Sequence, residues 1–165
     1  MVVKPTNINP EQDGVDHINI YSRGKTELGR LLSNFAYLPI QTEDGIFASM
    51  EAWWYWQLGT DPDREQLRPL WGSSAKYKGR DLKIPDWPDP LFLPAFKVKY
   101  VKAFQAKLAQ HPKLTALLRD SQLPLLHYYT YGTPPKVICA EEGNWVIELI
   151  ESERTRLQAP PIKTN

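Results

Sequence analysis

The sequence predicts an α+β fold, mainly α with a few short β-strands, packed as a single compact domain. Three observations carry this expectation. The chain has 165 residues, enough for one proper core and too few for two comfortable ones. Hydrophobic residues make up 42% and charged residues 24%, ordinary globular usage that argues against wholesale disorder or a fibrous repeat. The longest apolar periodicity is helical, whereas strict alternation is confined to short stretches.

Residues 1–16 are polar, carry Pro5, Pro10 and Gly14, and show no period that buries a face, so they read as a flexible leader. Residues 17–21 alternate polar and apolar, the mark of a short half-buried strand. Residues 28–40 are mostly apolar but broken at Ser33-Asn34 and Pro39; they read as a strand or loop pair, followed by a turn at Asp44-Gly45. Ser49 can cap a helix over residues 50–58, and Gly59 fits its left-handed stop. Asp61-Pro62-Asp63 opens a helical stretch to about residue 70, and residues 73–79 form another. Residues 84–90 hold three prolines, which lack the N–H and restrict their predecessors, so they form a structured loop.

Between residues 91 and 109, Ala95, Val98, Val101, Phe104 and Leu108 recur at helical spacing, with Lys97, Lys99, Lys102 and Lys107 interspersed. Lys107, like Arg154, is assigned to a structural ion pair. Pro112 begins a further helix through Leu114, Leu117 and Leu118. The strand formers of residues 125–131 and 136–139 suggest a hairpin. A final amphipathic helix runs over residues 144–157, with its Glu residues outward, before a frayed tail at 158–165. The domain proper is therefore expected to span residues 17–157.

The 20 basic and 19 acidic side chains leave a net charge of +1, which removes any bulk electrostatic argument for binding duplex nucleic acid or an anionic membrane. No apolar run approaches the ~20 residues of a membrane helix. Met1-Val2-Val3-Lys4-Pro5 lacks a signal-peptide core, so a cytoplasmic location is expected. Cys139 is the only cysteine, which excludes an internal disulfide and a CxxC pair, and its apolar stretch suggests a core position. There is no P-loop, dinucleotide-binding GxGxxG, HExxH or GxSxG, and the three histidines stand in unrelated contexts, so neither a metal nor a cofactor is expected.

Glu51 is a strange choice within Met-Glu-Ala-Trp-Trp-Tyr-Trp. A carboxylate buried there needs a cation beside it or a raised pKa, and both outcomes suit a site. The plain alternative puts it on the solvent side of the first helical turn, where it meets the helix dipole. Lys76 and Arg80 lie four apart on a short helix, so both can face one diphosphate, although a solvated face is the usual place for such residues. Trp87, in the Pro-rich loop, can stack on a base or anchor the loop. Ser33 and Asn34 can bond a ribose or phosphate, or only their own turn.

Several segments in order resemble the NADAR superfamily (NAD- and ADP-ribose-associated, YbiA-like N-glycosidase domains). These are Leu31-Leu32-Ser33-Asn34-Phe35-Ala36, the stretch from Asp44-Gly45 to Ser49-Met50-Glu51, and Ser73-Ser74-Ala75-Lys76 through Gly79-Arg80. Further along come Asp86-Trp87, the run from Lys107 to Leu114, Tyr131-Gly132, and Gly143-Asn144-Trp145 through Arg154. The resemblance implies a mostly helical YbiA-like fold and hydrolysis of a ribosyl N-glycosidic bond, in a riboflavin-pathway intermediate or an ADP-ribosylated base. Its expected ligand is a small nucleotide or ADP-ribose-type molecule, with ADP-ribosylated nucleic acid a possible partner.

The resemblance makes Glu51 the catalytic carboxylate. It places Ser33, Asn34, Phe35, Trp54, Lys76, Arg80, Trp87, Tyr131 and Asn144 around the ligand. The residue-level chemistry agrees for Glu51, since cleaving a ribosyl C–N bond passes through an oxocarbenium-like state that a carboxylate stabilises while positioning water. Where the family carries an acid three residues before its Trp-Gly, this chain has Tyr128, and Glu141 or Glu142 are the acids at hand to replace it. That departure motivates a rival reading, a non-catalytic ADP-ribose or nucleotide-binding module.

Overall fold

The computed structural model describes residues 7–83, 92–139 and 144–162. In chain order these form β1 (Ile18–Asn19), α1 (Glu27–Leu32), β2 (Ile40–Thr42), β3 (Gly45–Phe47), α2 (Met50–Leu58), α3 (Gly72–Leu82), α4 (Phe92–Gln110), α5 (Pro112–Asp120), β4 (Leu125–Leu126), β5 (Tyr128–Tyr131), β6 (Lys136–Cys139) and α6 (Asn144–Gln158). Helices predominate over short two-stranded sheets, the α+β class expected from the sequence. Contacts group into two units, Ser33–Pro112 and the pairing of Met1–Leu32 with Lys113–Asn165. No described helix is long and apolar enough to cross a membrane.

In the unit Ser33–Pro112, β2 and β3 pair antiparallel from Ile40↔Phe47 to Thr42↔Gly45, turning where Gly45 takes φ +106°. Ser49 caps α2: its Oγ accepts from Ala52 N at 3.1 Å and donates to Leu70 O at 3.0 Å. Because that hydroxyl is fully buried, Ser49→Ala strips a cap and orphans a carbonyl. The expected loss is about 1–2 kcal/mol in urea unfolding, and a loss of only a few tenths would contradict the capping role. Gly59 ends α2 in an extended conformation, φ −95°, not the left-handed one expected.

The α3 helix continues past Gly79, the expected stop, to Leu82. Gly79 is there because the Tyr55 ring lies on it: a Cβ would fall 2.1 Å from Tyr55 Cγ. The expected helix at 61–70 contracts to a 3-10 turn, Asp63–Leu67, anchored by fully buried Leu67. On α4 the buried stripe is Phe96, Tyr100, Ala103, Phe104, Lys107 and Leu108, offset from the expected one. Val98 and Ala95 face outward, since the rings of Phe96 and Tyr100 bury more apolar area and meet Trp53 and Trp54 of α2.

In the other unit, β1 pairs parallel with β4, and β5 pairs antiparallel with β6 as the hairpin expected. Residues 28–32 are helical where a strand or loop was expected. The Thr26 hydroxyl accepts from Gly29 N, and Gly29 lets α1 close on β1, since a Cβ there would meet Asn19 O at 2.2 Å. Residues 10–16, expected to belong to the flexible leader, are structured: Asn9 caps a 3-10 turn at Pro10–Gln12. Beyond it the buried Asp13 carboxylate accepts from Asn19 N and Lys25 N. On α6, Ile147 and Ile150 point inward as expected, but Glu153 is buried too, paired with Arg156. Arg154 bonds Glu151 and Leu123 O. Cys139, expected in the core, is exposed on β6.

Candidate active site

The site is built on the turn that opens the unit Ser33–Pro112. Ser33 Oγ accepts from Phe35 N at 3.2 Å, the local bond a Ser-Asn turn favours. Three helices then fasten this turn. Asn34 O accepts from Glu51 N at 2.9 Å and Phe35 O from Gly72 N at 3.1 Å. Tyr100 on α4 donates its hydroxyl to Asn34 Oδ1 at 2.8 Å. The amide Nδ2 of Asn34 donates to no described residue, so it is available to a ligand.

Glu51 stands in the first turn of α2, beside this loop. Its carboxyl is desolvated, which pushes its pKa up to about 7, while Lys76 and then Arg80 pull it partway down. No described residue hydrogen-bonds it or pairs with it within ion-pair distance. Lys76 and Arg80 sit one turn apart on α3, likewise without an acidic ion-pair partner among the described residues. The Lys76 ammonium lies 5.7 Å from the Phe35 ring centroid. Tyr55, one turn along α2 from Glu51, has its pKa raised by burial and then by the Glu51 charge, while the neighbouring Arg80 pulls it partway down. Burial, with a smaller push from Glu51, also raises the Tyr100 phenol. A desolvated carboxyl that ionises near neutrality beside two cations can take an anionic ligand and move a proton next to it.

Lys107 does not form the ion pair assigned to it. It is 1% exposed, donates to Ser33 O at 3.3 Å and has no acidic partner among the described residues. Burial lowers its pKa from 10.5 to about 7. Between those two values the unfolded chain binds the proton that the folded protein has released, so this group adds stability as pH rises. Lys107→Met should abolish that gain. Between about pH 7 and pH 9 the wild type is expected to gain on the variant by up to about 1.4 kcal/mol per pH unit. Parallel stability curves for the two proteins would refute the assignment.

The chain is similar to the Escherichia coli protein YbiA, solved by NMR, with 22% identity, a TM-score of 0.60, and 95% of this chain covering 100% of that one. The chain has the YbiA fold. No family model and no curated protein match it.

Within this YbiA-like fold, Glu51, Asn34, Phe35, Lys76 and Arg80 gather around the Ser33–Phe35 turn. The Ser33 hydroxyl is committed to the turn itself. Trp54 packs into the aromatic cluster on α4, edge-on to Phe96 at 4.7 Å and to Tyr100 at 5.6 Å. Tyr131 ends β5, exposed, and Asn144 begins α6, both in the other unit. Trp87, Glu141 and Glu142 lie outside the described residues. Tyr128 is buried, its hydroxyl 2.7 Å from His17 Nε2, and His17 Nδ1 is 2.5 Å from Asp16 Oδ1. Among the described residues no three His, Cys, Asp or Glu side chains group to hold a metal ion.

Sequence reasoning missed Tyr55, Tyr100 and Lys107. For Tyr55 a signal existed, since it lies four residues from Glu51 on one helix face. Tyr100 and Lys107 reach the turn from 66 and 74 residues away, and no local pattern announces such a meeting.

Proposed function

We propose that this protein hydrolyses the N-glycosidic bond of a ribosyl substrate, with Glu51 as the catalytic carboxylate. The observation that carries the reading is the Glu51 carboxyl in the first turn of α2, its backbone N–H tied to the Ser33–Phe35 turn and Lys76 and Arg80 as its neighbouring cations. In the proposed step, water adds at the ribose C1′ as the C–N bond breaks. Ionised Glu51 stabilises the oxocarbenium-like state, takes the water proton, and returns it to the departing nitrogen. A group with a pKa near the working pH can serve both halves, which fits a chain holding Tyr128 where the resembling family has a second acid.

Lys76 and Arg80 suit a diphosphate, favouring an ADP-ribosylated base over a monophosphate intermediate of the riboflavin pathway. Asn34 Nδ2 is assigned to the ribose. The same reading places the protein in the cytoplasm. The test offers ADP-ribosylated guanine and aminouracil ribotides to the wild type and to Glu51→Gln, reading released base by chromatography. Release by the wild type alone is expected; equal release by both proteins removes Glu51 from the reaction.

A second reading is favoured by one observation, the buried tie of Tyr128 to His17, which offers a phenol where the resembling family has a carboxylate. It makes the protein a non-catalytic ADP-ribose-binding module. Calorimetric binding of ADP-ribose by a wild type that releases no base would select it.

A further inference from the structure

Tyr37 and Trp71 are large aromatic side chains left 60% and 54% exposed, their ring centroids 5.8 Å apart and the rings tilted by 59°. Exposed single aromatics are ordinary, but an exposed pair is a stacking surface. This pair adjoins the site already described. Gly72, next to Trp71, donates its N–H to Phe35 O, Phe35 lies under Lys76, and Asn34, next to Phe35, receives the N–H of Glu51. Trp71 stands at the N-terminal end of α3, without a side-chain cap bond, and Lys76 and Arg80 follow along the same helix. One ring of the pair, Trp71, and both cations are therefore carried on one element.

We propose that Tyr37 and Trp71 form a subsite that stacks the nucleobase of a ligand whose phosphates lie on Lys76 and Arg80. The inference rests on the proposed function for the kind of ligand, and deepens it by assigning the base to residues the glycosidase reading does not use. The base has two sources, the nucleotide's own ring or the base released by the reaction. Both present the same planar heteroaromatic face, and aromatic stacking is tolerant of base identity.

The experiment measures calorimetric affinity for ADP-ribose, AMP, guanosine and ribose 5-phosphate in the wild type, Trp71→Ala, Trp71→Phe and Tyr37→Ala. Trp71→Ala is expected to weaken ADP-ribose binding about 10-fold or more, with Trp71→Phe retaining most of the affinity and ribose 5-phosphate unaffected in every protein. A loss shared with AMP assigns the subsite to the nucleotide's own base; a loss shared with guanosine assigns it to the released base.

Affinities unchanged by both alanine variants overturn the proposal. So do an equal loss for ribose 5-phosphate and a wild type that binds none of the base-containing ligands. Because the readout is binding, its failure leaves base release by Glu51 standing. Conversely, unchanged turnover in Glu51→Gln leaves this subsite standing.

Discussion

Glu51→Gln is expected to lose base release by about two to four orders of magnitude while becoming more stable above neutral pH. The two effects share one cause. Desolvation raises the folded pKa of Glu51 from 4.5 to about 7, so between those values the folded protein holds a proton that the unfolded chain has released. Stability from this group is present at low pH and falls as pH rises through that window. Above about pH 7 the half-buried carboxylate stands at its full cost, on the order of 2 kcal/mol once its partial exposure is allowed for. Glutamine has the same shape and no charge to desolvate. Thermal unfolding at about pH 8 should therefore show the variant melting higher, and at about pH 4 the two proteins should nearly coincide. Equal shifts at both pH values would mean that Glu51 is not desolvated. If the proposed hydrolysis holds, the same titration governs it: kcat/KM of the wild type should rise through about pH 7 as the carboxylate forms, and a falling limb there would assign Glu51 an acid role instead.

Gly79→Ala should destabilise the protein by at least about 2–3 kcal/mol, although helix propensity alone predicts a gain of up to about 1 kcal/mol for removing a mid-helix glycine. The sign is set by Tyr55. A Cβ on Gly79 would lie 2.1 Å from Tyr55 Cγ and 2.5 Å from both Cβ and Cδ2, distances that force α2 and α3 apart or twist the ring off its rotamer. Arg80 adjoins Gly79 and lowers the Tyr55 pKa as a neighbouring cation, so the displacement also disturbs the cation facing Glu51. A double-mutant cycle with Tyr55→Ala checks the cause, because removing the ring makes room for the methyl. The alanine at 79 should cost far less in that background. An equal penalty in both backgrounds would show that the conflict lies elsewhere.

What the sequence disclosed, and what it withheld, follows the range of the interactions involved. The α2 helix was legible from Ser49 because a cap acts within three residues, and the Asp44-Gly45 turn and the β5–β6 hairpin are similarly local. The α1 helix was not, because an apolar run at Leu28 to Leu32 reads as strand until Gly29 is seen against Asn19 of β1. Gly79 looked like a helix stop for the same reason: its partner, Tyr55, is on another helix. On α4, periodicity gave the helix but not its inward face, which was decided by where Phe96 and Tyr100 could meet Trp53 and Trp54.

In the site, Glu51 stood out as an acid among aromatic residues, and the spacing of Lys76 and Arg80 showed that they share a face. Lys107 did not stand out, since a lysine among four on one helix looks like a solvated residue until its amine is found on the Ser33 carbonyl.

The central claim is that the Glu51 carboxyl ionises near neutral pH because the fold keeps water from it. Its direct test is a site-resolved titration of that carboxyl in the ligand-free protein, by carbon NMR with Glu51 assigned through the Glu51→Gln variant. The midpoint should fall at about 7, and should move higher in Lys76→Gln and in Arg80→Gln, which remove the charges that favour ionisation. A midpoint near 4.5, the value for an unperturbed glutamate, would contradict it.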